Sequence, residues 1–270
     1  MNTFDLQQVA IGYEQKIVLD DLTFSIPHGK ITVLLGANGC GKSTLLSTLA
    51  RQRDALGGAI AFRDKPLTAY RAKEAARLMA FMPQVNVAPD GLTVEQLVRF
   101  GRYPYQTFFK RYSEDDERAV ERALAFTDTV SLRDTLVSNL SGGQKQRVWI
   151  ALALAQESET ILLDEPTTYL DMSHQIEILD LMYRLNRLEG KTIIMVLHDL
   201  HLACRYADHV IALAGENVYR QGSPNDVVDE AFMQDVFGLK VVVTEDPLYG
   251  TPLCIPYSHY ELNEKRPPTT

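Results

Sequence analysis

The stretch ITVLLGANGCGKSTLL, residues 31–46, decides the fold of this 270-residue chain. The apolar run Ile31–Leu35 predicts a buried strand, and the glycine-rich segment Gly36–Ser43 follows it at once. From Lys42 to about Arg51 the pattern predicts a helix. The segment fits G-x-x-x-x-G-K-[ST] in full, and a strand before it with a helix after it is the context that such a phosphate-binding loop requires. The stretch therefore predicts an α/β core built around a phosphate site.

The residues of this loop have separate roles in holding a nucleoside triphosphate. The glycines allow backbone N–H groups to turn inward around the phosphates, Lys42 reaches the β- and γ-phosphates, and the hydroxyl of Ser43 is placed to ligate Mg²⁺. Cys40 lies among the inward-turned amides, which predicts either a reactive thiol or an inert buried one. The predicted contacts of the loop are Gly36, Ala37, Asn38, Gly39, Cys40, Gly41, Lys42, Ser43 and Thr44.

Composition excludes several classes of protein. The net charge of −8 argues against broad, non-specific binding to nucleic acid, so no nucleic-acid partner is expected. The longest apolar run, Val148–Ala155, is far shorter than the roughly 18 residues of a membrane-spanning helix, and the N-terminus lacks a signal-peptide pattern. Cys40, Cys204 and Cys254 show no metal-ligand spacing, which is typical of a reducing compartment. We therefore expect a cytoplasmic location.

Polar side chains follow three further predicted strands. The run TILLDEP, residues 160–166, predicts a buried strand that ends in Asp164, for Mg²⁺, and Glu165, for the attacking water. His198 and Gln84 end two other strands. Each of these residues has an alternative, structural role when considered alone, as a helix cap or a packed polar group. However, the carboxyl ends of parallel strands share one edge of a sheet, so we expect all four side chains near the phosphates.

Helical patterns dominate the middle of the chain. The segments 113–126 and 142–157 predict two long helices, the first capped by Ser113. A later helix is predicted to end at Gly190. Its apolar stripe comprises Ile178, Leu181, Met182, Leu185 and Leu188.

These elements predict an α/β fold with a P-loop NTPase core. We expect a mostly parallel sheet with helices on both faces, an inserted helical subdomain and a small antiparallel β part near the N-terminus. Residues 1–243 would form one nucleotide-binding domain, followed by a C-terminal extension whose last residues, NEKRPPTT, we expect to be disordered. The predicted boundaries are 1–88 and 158–225 for the core, 89–157 for the helical subdomain and 226–270 for the extension.

The ordered set GANGCGKS, PQ, LSGGQ, ILLDEP, TTYLD and LHD resembles the nucleotide-binding subunit of ATP-binding cassette (ABC) transporters. The resemblance reaches to about residue 225, and LSGGQ separates this family from nucleotide kinases and small GTPases. It implies that Tyr13 stacks on adenine, although a half-buried strand aromatic is the alternative. It also implies that Gln84 senses the γ-phosphate and magnesium, and that Asp171 ends a loop that crosses to a partner subunit.

The resemblance gives LSGGQ, residues 140–144, a role outside its own chain. In this family two subunits pair head to tail around two ATP molecules, and each signature caps the γ-phosphate held by the other subunit. A helix start with exposed amides suits that anion, so neither half-site is complete alone. The residues implied to act on the partner's ATP are Ser141, Gly142, Gly143, Gln144 and Asp171.

The wider sequence is similar to the importer branch that serves iron(III)-siderophores, haem and cobalamin, with the ferric-siderophore and ferric dicitrate cassettes most alike. This implies an ATPase with Mg²⁺, a second copy of the chain, polytopic permease subunits and, indirectly, a secreted or periplasmic binding protein. It places the protein peripherally on the cytoplasmic face of the inner membrane. Haem or cobalamin import and a soluble ABC ATPase are the alternatives. Ala37 stands where many relatives have proline, which removes no phosphate ligand.

An aromatic group follows Gln84 in the region where this family docks its permease. The aromatics could form a docking face or could pack inside the helical subdomain, and the sequence leaves both readings open. They are Phe100, Tyr103, Tyr105, Phe108 and Phe109.

Overall fold

The computed structural model describes residues 1–14, 16–106 and 112–257. Phe108, Phe109 and the tail NEKRPPTT lie outside the described residues. The strands are β1 (Asn2–Tyr13), β2 (Lys16–Pro27), β3 (Ile31–Gly36), β4 (Gly57–Phe62), β5 (Lys65–Pro66), β6 (Met79–Met82), β7 (Thr160–Leu163), β8 (Thr192–Val196), β9 (His209–Ala214), β10 (Asn217–Gly222), β11 (Val241–Glu245) and β12 (Pro252–Pro256). The α-helices are α1 (Lys42–Leu49), α2 (Ala72–Leu78), α3 (Val94–Arg99), α4 (Glu114–Phe126), α5 (Gly142–Ala155), α6 (Met172–Glu189), α7 (Leu200–Tyr206), α8 (Pro224–Val227) and α9 (Glu230–Phe237).

The central sheet has the strand order β10-β9-β3-β8-β7-β6, and it is parallel except for β10, which runs antiparallel to β9. β3, β7 and β8 are buried along their whole length, because both faces of the sheet are covered. On one face, Ile31 and Val33 pack with α6, α7 and α9. On the other, Leu34 packs with α1 and the N-terminal sheet. The predicted α/β class, with helices on both faces, is confirmed.

The N-terminal sheet is antiparallel, with the order β2-β1-β4-β5. Its inward side chains, including Phe4, Leu6 and Ile11, are fully or almost fully buried against α1. The end of β1 brings Tyr13 to the edge of the phosphate-loop region. This small sheet therefore positions one predicted nucleotide contact.

The middle of the chain is helical within residues 89–106 and 112–157, where the structure places no strand of either sheet. α3, α4 and α5 share a separate core that includes Val98, Val120, Leu124 and Val148. Beyond residue 225, by contrast, Phe232 packs into the same core as the central sheet. Ser113 caps α4, as predicted, because its hydroxyl accepts the backbone N–H of Asp116.

One prediction about the apolar stripe of α6 is wrong. Ile178, Leu181, Met182 and Leu185 are buried, but Leu188 is 72% exposed. At about 100° per residue, Leu188 lies about 80° around the helix from Ile178, at the margin of the stripe. It also lies in the last turn before Gly190, which ends α6 in the left-handed conformation at φ 64°.

Among the described residues, no helix has both the length and the apolar character that crossing a membrane requires.

Candidate functional site

The phosphate loop lies between β3 and α1 and depends on its glycines. Gly36 has φ 150°, and a Cβ added there would lie 2.5 Å from the carbonyl oxygen of Leu213. Gly41 has φ 99°, and a Cβ there would lie 2.9 Å from the side chains of Val18 and Leu19. Both positions therefore require glycine, because they combine an unfavourable backbone conformation with close neighbours. The backbone of the loop can then curve around an anion.

Lys42 places its ammonium group inside this curve. The side chain is 5% exposed, and Nζ donates hydrogen bonds of 2.9 Å to the carbonyl oxygens of Gly36 and Ala37. Cys40 Sγ lies 3.9 Å from the same nitrogen. The loop thus orients its cation through its own backbone.

Ser43 and Asp164 meet at the base of the loop. Ser43 Oγ donates to Asp164 Oδ1 over 2.9 Å. Burial raises the pKa of Asp164, and the hydrogen bond from Ser43 opposes this shift in part. Oxygen donors of this kind fit Mg²⁺, which takes one or two protein carboxylates when it is bound with phosphates. The described residues contain no cluster of three or more His, Cys, Asp or Glu side chains able to hold a metal.

Glu165 is the point at which several strand ends converge. Its Oε1 lies 2.6 Å from His198 Nε2, and its Oε2 accepts hydrogen bonds from Gln84 Nε2 at 2.6 Å and Thr168 Oγ1 at 3.0 Å. Glu165 lies just beyond the end of β7 and has φ 51°, in the left-handed region. The structure thus brings Gln84, Glu165 and His198 together beside the Ser43–Asp164 pair.

A cavity of about 550 Å³ joins these groups. Tyr13 borders it, with its hydroxyl 3.1 Å from Thr44 Oγ1. Sequence reasoning missed Val18, Thr168 and Tyr169, although the last two belong to the quoted motif TTYLD. The lining residues are Tyr13, Val18, Asn38, Gly39, Gly41, Lys42, Ser43, Thr44, Gln84, Glu165, Thr168, Tyr169 and His198.

The signature residues do not line this cavity in their own chain. Ser141 caps α5, because its hydroxyl accepts the backbone N–H of Gln144, and the side chain of Gln144 accepts the N–H of Ser141 in return. Asp171 caps α6 through the N–H of His174. A Cβ on Gly143 would lie 2.5 Å from the ring of His174, so the starts of α5 and α6 pack tightly together.

Comparison with known proteins agrees with these features. A family model described as ABC transporter matches residues 19–168, which include the phosphate loop, the signature and both acids. The chain belongs to the ABC transporter family. The Petrobactin import ATP-binding protein FpuD of Bacillus anthracis is 51% identical to this cassette, over 94% of this chain and 93% of its own. The Ferric enterobactin transport ATP-binding protein FepC of Escherichia coli (strain K12) is 45% identical, over 93% of this chain and 92% of its own.

The fold of the cassette also matches solved structures. The dimeric, post-hydrolysis ATP-binding cassette MJ0796, bound to ADP and Pi, has a TM-score of 0.71 and 26% sequence identity. The match covers 82% of this chain and 98% of that structure. The cavity, the phosphate loop and the family therefore agree on nucleotide binding.

Proposed function

We propose that this chain is the ATP-hydrolysing subunit of a membrane importer for an iron(III)-siderophore or a related iron chelate. The observation that carries the enzymatic part is the convergence of Gln84, Glu165 and His198 on one cavity beside the phosphate loop. That arrangement joins a phosphate-binding side and a water-positioning side, which is what phosphoryl transfer to water requires.

In the proposed reaction, Lys42 and the loop amides hold the β- and γ-phosphates, and Ser43 with Asp164 and Gln84 would hold Mg²⁺. When bound, Mg²⁺ neutralises negative charge on the phosphates. Glu165 orients a water molecule whose oxygen bonds to the γ-phosphorus as the bond to the β–γ bridging oxygen breaks. The products are ADP and inorganic phosphate. His198, in contact with Glu165, is placed to donate a hydrogen bond to the γ-phosphate.

We further propose that two copies form the complete enzyme. Ser141, Gly142 and Gly143 lie outside the cavity of their own chain, yet they begin a helix whose free amides suit a phosphate. A head-to-tail pair would place each signature over the nucleotide of the other copy. The likeness to a dimeric cassette supports this arrangement.

The proposed cargo rests on the relatives. FpuD is named for petrobactin import and FepC for ferric enterobactin transport, and both match this chain along almost its whole length. By that likeness we infer polytopic permease subunits, an extracytoplasmic substrate-binding protein and a peripheral position on the cytoplasmic face of the membrane.

Purified protein tests the enzymatic proposal. We expect MgATP hydrolysis by the wild type, loss of most ATP binding in Lys42→Ala, and ATP binding with little hydrolysis in Glu165→Gln. Hydrolysis by Lys42→Ala within twofold of wild type would contradict the role of the loop.

Transport measurements test the cargo. The permease would be copurified with this subunit, reconstituted with its binding protein and supplied with a panel of ferric siderophores, haem and cobalamin. Uptake of a ferric siderophore that depends on ATP and is lost in Glu165→Gln is expected. Uptake of haem or cobalamin alone would contradict the proposed cargo while leaving the ATPase proposal intact.

A further inference from the structure

The aromatic ring of Tyr13 has a second neighbour that the proposed mechanism does not use. The guanidinium carbon of Arg53 lies 4.1 Å from the centre of the Tyr13 ring. Arg53 belongs to the exposed segment that follows α1, whereas Tyr13 ends β1. A cation at this distance from a ring face is attracted by the negative face of the π-system.

The Tyr13 side chain has one neighbour that lines the cavity and one that does not. Tyr13 borders the cavity of the phosphate loop, but Arg53 is not among the residues that line it. The contact between Arg53 and the ring therefore lies outside the lining of the cavity. At the ring edge, the Tyr13 hydroxyl lies 3.1 Å from Thr44 Oγ1, so the ring is restrained at its edge and on one face.

This restraint matters because Tyr13 is otherwise poorly held. Its side chain is 45% exposed, and it stands at the tip of the β1–β2 hairpin. A ring that is already oriented loses less conformational freedom when a flat base stacks on it.

We propose that Arg53 is a positioning residue that holds Tyr13 for stacking of the nucleotide base. This inference rests on the proposed function, since it requires a nucleotide in the cavity. Arg53 contributes to the affinity for the base and leaves the affinity for the triphosphate unchanged. It acts through Tyr13 and does not touch the phosphates.

The test compares the affinity for a ligand that contains a base with the affinity for a ligand that lacks one. Binding of MgATP and of magnesium tripolyphosphate is measured by calorimetry for the wild type and for Arg53→Gln. We expect Arg53→Gln to weaken MgATP binding about two- to fivefold, the range of an exposed cation–π contact, and to leave tripolyphosphate binding unchanged. Arg184→Gln is the matched control, because Arg184 stacks on Phe126, away from the cavity, and its loss should change neither affinity.

A double mutant separates positioning from direct contact. In a Tyr13→Leu background, Arg53→Gln should weaken MgATP binding no further. Equal weakening of MgATP and tripolyphosphate would show a phosphate contact and overturn the inference, as would unchanged MgATP binding in Arg53→Gln. A wild type that binds neither ligand would overturn the proposed function itself, which distinguishes the two failures.

Discussion

At the scale of single residues, Glu165 shows how the site is held in place. Both of its carboxylate oxygens have partners, and these come from His198, Gln84 and Thr168. A side chain held in this way has one orientation relative to the phosphate loop, which is the requirement for positioning a water molecule. Its left-handed backbone is a local cost that the surrounding contacts offset.

Cys40 allows a test at the same scale. Its thiol is partly buried, 3.9 Å from Lys42 Nζ, so an alkyl group on the sulfur would crowd the loop. We expect thiol alkylation to abolish ATPase activity and MgATP to protect against it. The measurement is residual activity after treatment with and without nucleotide. Cys40→Ser is the control and should resist inhibition, whereas inhibition of Cys40→Ser would place the sensitive thiol at Cys204 or Cys254.

At the scale of elements, a buried ion pair joins the helices of the middle segment. Arg102 Nε donates to Asp116 Oδ1 over 2.8 Å, and both side chains are almost fully buried. Arg102 also donates to the carbonyl oxygen of Ala155 and to Glu157. One side chain therefore connects the turn after α3, the start of α4 and the end of α5.

Replacing Arg102 should lower the stability of the folded protein. Arg102→Met would leave Asp116 as a buried charge without its partner, and we expect the free energy of unfolding to fall by about 3–5 kcal/mol. Urea denaturation measures the change. Arg118→Met is the matched control on α4, because Arg118 pairs with Asp115 at an exposed position. This control substitution should lower the free energy of unfolding by only about 0–1 kcal/mol. An equal decrease in the free energy of unfolding in both variants would contradict a special role for the buried pair.

Asp171 provides a pH-dependent test at the start of α6. The backbone N–H of His174, followed by its side chain and that of Ser173, lowers the pKa of Asp171 to about 2 from the ordinary value of 3.8. The folded state therefore gains stability from the ionised carboxylate above pH 3.8, and this gain is lost as the pH falls towards 2. Asp171→Asn should show a shallower loss of thermal stability over that window. An unchanged slope would contradict this assignment.

At the scale of the whole molecule, the separation of the signature from the cavity predicts association that depends on ATP. Glu165→Gln should accumulate as an ATP-bound dimer, since hydrolysis would otherwise release the two copies. Adding Ser141→Arg should abolish that dimer and leave ATP binding to the monomer nearly unchanged. Sedimentation with MgATP measures both. A Lys42→Ala chain mixed with a Ser141→Arg chain should recover one complete site, because the first supplies a signature and the second a phosphate loop.

The control for this experiment separates dimer contacts from helix capping. Ser141 caps α5 and Ser113 caps α4 in the same way, so Ser113→Arg removes a comparable cap away from the signature. Dimer formation should survive Ser113→Arg in the Glu165→Gln background. If Ser141→Arg weakens ATP binding by the isolated monomer, or Glu165→Gln stays monomeric at high concentration, the signature does not act on a partner's nucleotide.

Several features could be derived from the sequence alone, because they depend on short segments. The apolar runs of β3, β7 and β8 predicted buried strands, the glycine pattern predicted the phosphate loop, and Ser113 predicted the start of α4. The ordered motifs also indicated the ABC transporter family, which the family match supports. Each signal lies within a few residues, where backbone preference and hydrophobic periodicity act directly.

The contacts between distant segments of the chain are known only from the tertiary structure. The order β10-β9-β3-β8-β7-β6 does not follow the chain, and its placement of β7 between β6 and β8 brings Gln84 and His198 to opposite oxygens of Glu165. The same packing exposes Leu188 and lays Arg53 on Tyr13. No local pattern specifies these contacts, because they depend on the packing of whole elements around a shared core rather than on the preferences of neighbouring residues.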